Sequence, residues 1–268
     1  MTSAETFSAF YASLDAAAGD AGHPATGERP AVPAWLAQVA EVLFDGLDAD
    51  AAAGWARRVR REVRRSDGGV PFSVVHDWYC SAVGPVLAEA TARRGGSAAP
   101  QQVVLALHTR ALGGGRVDEG TWRAALEPEL RELFRHAYPY AEAYATAAAA
   151  AGSYALANGY DEAEAARYGE TYAELNTTAN VRAHADANAL ANAAAVAAAY
   201  AAADPDAYAE TYPSARVRAV VRVHADGQGE RGERAAWARL ADGLAAALAR
   251  AAARTEDGTE PRTAAHPG

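Results

Sequence analysis

Along the chain, apolar residues return at spacings of three and four rather than two, the pattern of helices that each turn one face inward. No set of alternating strands joined by hairpin turns occurs, so the fold class is all-α. Thr2 and Glu5 have capping-box spacing ahead of Phe7, Phe10, Tyr11 and Leu14 and predict a short first helix. A Gly/Pro loop over 19–33 follows, then helices at about 33–47 and 49–65. Ser73 is the expected cap of the next helix, and Pro85 its kink. Another helix is expected at about 99–112, closed by the glycines at 113–115. Pro128 and Pro139 divide the stretch beyond into helices of about 119–137 and 139–158, with Asn158 and Gly159 as the stop.

From Asp161 to Ala203 the helical pattern runs 43 residues without proline, long for a globular helix, so a break is expected near 176–178. Pro205 ends it. Residues 214–227 read as helix or strand, 233–254 as a last helix, and 255–268 as a disordered tail. The expectation is a bundle-like arrangement of about nine to eleven helices, a single domain over 1–254 with 113–118 as the candidate point of subdivision. Its second half is rich in alanine.

Composition narrows the chemistry. Alanine supplies 75 of 268 residues, all 25 Lys+Arg residues are arginine, and isoleucine is absent, as a GC-rich bacterial genome would encode. Without lysine, a Schiff base or a Walker-type phosphate loop is excluded. A net charge of −9 argues against nucleic acid as partner. The most apolar stretch, 189–203, is too short to span a bilayer, so no membrane partner is expected. Cys80 is the only cysteine, which excludes an intrachain disulfide and points to a reducing, cytoplasmic setting. The first twenty residues lack the basic and apolar regions of a signal peptide and read as mature protein.

Three segments repeat a Tyr-x-Glu-x-Tyr pattern, at 140–144, 168–172 and 208–212. On a helix, positions i and i+4 lie about 40° apart and i+2 about 200° away. Tyr140 and Tyr144, and Tyr168 and Tyr172, therefore share faces that Glu142 and Glu170 do not. In the third copy Tyr212 precedes Pro213 and is expected in extended geometry, where Glu210 and its neighbours point the same way. A second pattern places Asn176, Asn180, His184, Asn188 and Asn192 at intervals of four on an alanine-rich helix. Asparagine is a poor helix former, so the ladder is either a solvated face or, at Asn180, His184 and Asn188, which fit within about 80° of the helix, part of an internal polar network or ligand cavity. Candidate catalytic groups are His184, Tyr172 and Glu210. Candidate binding groups are Asn180, Asn188, Asn176, Tyr144, Tyr168 and Tyr140.

The other signals are narrower. His76, beside Asp77, is an acid/base group or a core histidine with a partner, and His108 reads as a helix-flank residue. Glu132 and His136 are four apart, the spacing of an oriented carboxylate–imidazole pair. With Glu170 or Glu174 and His184 they are the residues a metal would take, although no Glu-x-x-His motif or Asp-rich stretch occurs. The six arginines from Arg57 to Arg65 form a solvated basic face or a docking surface for an acidic carrier.

Together these features predict a helical small-molecule-binding protein, a metal-independent enzyme of bacterial specialised metabolism without a cofactor. One alternative is a non-catalytic binding or sequestering protein serving self-resistance. The other is a helical-bundle metal-dependent oxidase.

Overall fold

The computed structural model describes residues 32–66, 69–137 and 140–256, the side chains of 140–142 and of His184 excepted. The expected first helix and the expected tail beyond 256 lie outside the described residues. Every regular element among the described residues is helical.

Helix α1 (Ala34–Gly46) buries Trp35, Leu36, Val39, Ala40 and Leu43, a stripe at helical spacing. Helix α2 (Ala49–Arg65) starts at Asp48, whose carboxylate accepts from the Ala51 N–H at 2.9 Å, and turns Trp55, Val59 and Val63 inward. Its arginine face is partly neutralised, because Arg58 pairs with Asp242, Arg61 with Glu62, and Arg65 with both Glu62 and Glu256.

Helix α3 (Ser73–Trp78) passes through a wide π-helical turn, Tyr79–Val83, into α4 (Gly84–Arg93). The capping position falls on Phe72, already helical at φ −61°, so Ser73 is the first residue of the helix and not its cap. The effect of Pro85 is the π turn. Proline has no N–H to offer the Ser81 carbonyl, the turn widens, and the Gly84 N–H reaches back five residues to the Tyr79 carbonyl. A Cβ at Gly84 would sit 3.0 Å from the Tyr79 ring and 3.2 Å from its carbonyl, so this turn has no room for a side chain.

Helix α5 (Ala99–Leu112) turns Gln101, Val104 and His108 inward. Helix α6 (Glu119–Ala137) is capped by Asp118 and keeps Pro128 within it. Helices α7 (Tyr140–Ala157) and α8 (Glu162–Ala202) follow, the second opened by a capping box between Asp161 and Glu164. The expected break near 176–178 does not occur. Asn176 donates its side-chain N–H to the Tyr172 carbonyl at 2.8 Å, Thr177 is buried, and α6 and α7 brace α8 along its length. The result is 41 unbroken residues, about 60 Å.

The register along α8 is antiparallel throughout. Trp122 of α6 meets Tyr200 at 4.9 Å between ring centroids, and Arg135 pairs with Asp186 at 3.0 Å. Between α7 and α8, a Cβ on Gly169 of α8 would lie 2.4 Å from the Ala148 carbonyl, and one on Gly152 of α7 3.3 Å from that of Ala165. Thus α6 and α7 lie in succession against one long helix. Apart from α8, no element makes more than marginal contact with α7 among the described residues, so α7 and the first half of α8 stand out as an arm.

Short α9 (Pro205–Ala209) leads to α10 (Pro213–Ala225), where the helical alternative for this segment holds, and to α11 (Gly229–Glu256). Trp55 and Trp78 donate to the carbonyls of Ala241 and Leu240 on α11, at 2.7 and 2.9 Å. One hydrophobic core includes residues before, within and after 113–118, among them Val104, Val117 and Trp122. No helix among the described residues is long and apolar enough to cross a membrane.

Candidate functional site

The buried stripe of α6 runs Trp122, Ala125, Leu126, Glu129, Leu130 and Leu133. Glu129 therefore occupies a core position and is 3% exposed. Its carboxylate accepts from the Tyr79 hydroxyl at 2.5 Å, a contact delivered by the π turn before Pro85. Burial raises the Glu129 carboxyl to about 7, against the lowering influence of the Tyr79 hydrogen bond and then of Arg216. Burial in turn holds the Tyr79 phenol well above its usual range, with the Glu129 charge adding to the effect.

Two buried histidines adjoin this pair. His76 Nδ1 and His108 Nδ1 are 2.9 Å apart, so one ring donates and the other accepts. His108 stacks on Tyr79 at 4.0 Å and meets Trp122 and Tyr200 edge-on, both at 4.9 Å. Its Nε2 is enclosed without a hydrogen-bond partner. Burial lowers His76 to about 4. For His108, burial, then His76, then Arg216 push it well below the ordinary range, so both rings are neutral near pH 7.

Arg216 of α10 supplies the cation. Its Nη1 donates to the Tyr200 hydroxyl and its Nη2 to the Thr211 hydroxyl, each at 3.3 Å, and the guanidinium lies 5.7 Å from the Tyr208 ring centre. The residue is partly exposed, yet its Nε is enclosed and unpartnered. A cavity of about 30 Å³ opens here, with Tyr79, Tyr200, Tyr208 and Arg216 among walls that are otherwise mainly apolar, including Val75, Val83, Val217 and Leu240. That volume holds about two waters.

No family model, curated protein or solved structure matches the chain.

None of the sequence-predicted site residues whose side chains are described lines this cavity. Asn180 and Glu210 are exposed, and Tyr168 and Tyr172 are each 41% exposed. Asn176 and Asn192 donate to the carbonyls four residues back, of Tyr172 and Asn188, so these rungs of the ladder bond to their own helix. Asn188 is half-buried, and Tyr144 reaches the Glu170 carbonyl at 3.4 Å. The side chains of Tyr140 and His184 lie outside the described residues. Glu132 and His136 do pair, at 3.1 Å, but no group of three or more His, Cys, Asp or Glu among the described residues is placed to hold a metal.

The third Tyr-x-Glu-x-Tyr copy differs from expectation. Tyr212 is left-handed (φ 54°, ψ 57°) and not extended, because it closes α9, donating to the Ala209 carbonyl at 3.3 Å, before α10 begins. Glu210 and Tyr212 face outward as a result, and Tyr208 alone turns into the cluster at 4% exposure. His76 and Asp77 also part company. Asp77 takes Arg250 through both carboxylate oxygens at 2.6–3.1 Å, while His76 turns to His108.

Proposed function

We propose that this chain is a small-molecule-binding helical protein whose site is the cavity at Arg216, Tyr200 and Tyr79, with the Glu129–Tyr79 pair as its proton carrier. The observation that carries this reading is a carboxyl buried in the core, bonded to a phenol, and raised to about 7. An isolated polar group in such a place is costly, and a carboxyl tuned to neutrality is suited to giving and taking a proton. An acid/base enzyme of bacterial specialised metabolism fits these groups, with Arg216 as the orienting cation. The lone Cys80 and the arginine-only basic residues suit a cytoplasmic bacterial setting.

The small, mainly apolar cavity favours a second reading, a binding protein without turnover. Both readings share the site and differ in Glu129, which a binder needs only for charge and an enzyme needs for chemistry. Mass spectrometry of small molecules released from the purified protein, followed by rebinding to variants, is the test. The expected ligand loses tenfold or more in affinity for Arg216→Met and little for Asn180→Ala. A ligand held through Asn180 and His184, and indifferent to Arg216, contradicts the proposal.

A further inference from the structure

The charge inventory of the cavity names a ligand class. Four titratable or charged groups line it, Tyr79 in the π turn, Tyr200 on α8, Tyr208 on α9 and Arg216 on α10, and three stand behind them: Glu129 on α6, bonded to Tyr79, His108 on α5, stacked on Tyr79, and His76 on α3, bonded to His108. Helix α11 adds only Leu240 to the lining. Among the seven, Arg216 is the full cation, and Glu129, raised to about 7, is the carboxyl that titrates near neutrality. At pH 8 the site without ligand is thus close to balanced, one cation against one carboxylate.

The guanidinium is under-used. It has five N–H groups, and its two observed bonds, both to hydroxyls, are long at 3.3 Å. Its Nε–H is enclosed with no acceptor. The Nε/Nη2 edge of a guanidinium matches the two oxygens of a carboxylate, and a small turn of Arg216 that opens the enclosed Nε to the cavity would let a carboxylate satisfy the orphaned donor. The volume of about 30 Å³ limits the ligand to a few heavy atoms. The walls of Val75, Val83, Val217 and Val220 favour an alkyl body over a fully hydrated inorganic anion.

We propose that the cavity takes a short-chain monocarboxylate on the Arg216 edge, with its alkyl end among the valines, and that a proton from solvent settles on Glu129 as it binds. This rests on reading the cavity as the ligand site. The coupling follows from charge. A second carboxylate entering beside one cation is repelled by Glu129 unless Glu129 gives up its charge, and protonating it restores a single ion pair. The neutral acid can still bond to Tyr79.

The test is isothermal titration of the full chain with acetate, propionate and butyrate at pH 8, in two buffers of different ionisation enthalpy. Saturable binding of at least one carboxylate is expected, with close to one proton, roughly 0.9, taken up per ligand. Affinity falls about tenfold per pH unit above the Glu129 titration. Glu129→Gln binds without proton uptake and without this pH dependence. Arg216→Lys, which keeps the charge and loses the fork, binds at least tenfold more weakly and still takes up the proton, so the result does not depend on Arg216→Met folding. Chloride and inorganic phosphate bind at least tenfold more weakly than the carboxylates.

Binding with no proton uptake in the unmodified chain overturns the coupling. Binding unchanged in Arg216→Lys overturns the seat. If none of the three acids binds either the unmodified chain or Glu129→Gln, the ligand class is wrong. The wider reading survives that result where a molecule released from the purified protein still needs Arg216, and fails with it where none does.

Discussion

Two regions of this molecule pack helices by opposite means. Around the cavity, large rings interlock: Trp122, Tyr200, Tyr208, Phe72 and His108 meet at centroid distances of 4.9–6.2 Å. In the arm, α7 and α8 are held apart by little more than backbone. Ala151, Ala155, Ala165, Ala173 and Thr177 are the buried side chains there among the described residues, and Gly169 passes the Ala148 carbonyl with no room for a methyl. Rings bury 150–250 Å² each, whereas an alanine contributes about one methyl. Helix propensity, which alanine maximises, carries more of the arm, and packing carries more of the core. Large side chains also bring functional atoms inward, and the polar cluster lies where they are.

The largest effect is expected from removing a ring. Trp122→Ala should lower global stability by about 3–5 kcal/mol, since it empties the contact between α6 and α8 at the cluster. Thermal or denaturant unfolding reads this directly. An effect below about 1 kcal/mol would show that the rings are not the framework.

Next is the pH dependence, where Glu129 opposes the buried histidines His76 and His108. The Glu129 carboxyl is raised from an ordinary 4.5 to about 7, so the folded chain keeps a proton that the unfolded chain releases in that window. Stability from this group is present below 4.5 and lost as pH rises to about 7, by roughly 3 kcal/mol. His76 is lowered from 6.5 to about 4, so its contribution is present above 6.5 and lost as pH falls to about 4. Between 4.5 and 6.5 the slopes counter each other. Glu129→Gln should remove one slope and leave a protein that gains stability on going from pH 4.5 to 6.5 more steeply than the parent.

Gly169→Ala gives a change of sign. If α7 and α8 touch as described, the new methyl meets the Ala148 carbonyl at 2.4 Å, and the arm is destabilised by about 1–3 kcal/mol. Were the helices apart, alanine would stabilise α8 by up to about 1 kcal/mol. Hydrogen exchange in α7 and the first half of α8 separates the two, since the arm is expected to open below the global unfolding energy. The smallest effect belongs to the ladder. Asn180→Ala, at an exposed position, should be neutral or stabilise by a few tenths of a kcal/mol.

The same contrast explains what was legible in the sequence. Helical periodicity and capping residues located nearly every element, because they act within one helix. The break expected in α8 failed since it was argued from length, and length is overruled by neighbours that only the tertiary fold supplies. The asparagine ladder and tyrosine repeats attract attention because alanine surrounds them, but alanine leaves close-packed helices with little interior to point into. Glu129 had a signal: a carboxylate on the apolar stripe of α6, between Leu126 and Leu130. Arg216 and Tyr200 had none, for their meeting depends on how α8 and α10 converge. Tyr79 depends on the π turn, whose proline was visible although its consequence was not.

The central claim, that the chemistry of this chain lies in the buried cluster, stands on Glu129 more than on any other residue. Carbon-detected NMR titration of side-chain carboxyls, with Glu129 assigned through Glu129→Gln, measures it directly. The account predicts a midpoint of about 7 for that resonance. A midpoint in the ordinary range near 4.5 would mean that water reaches the carboxyl freely, and would contradict it.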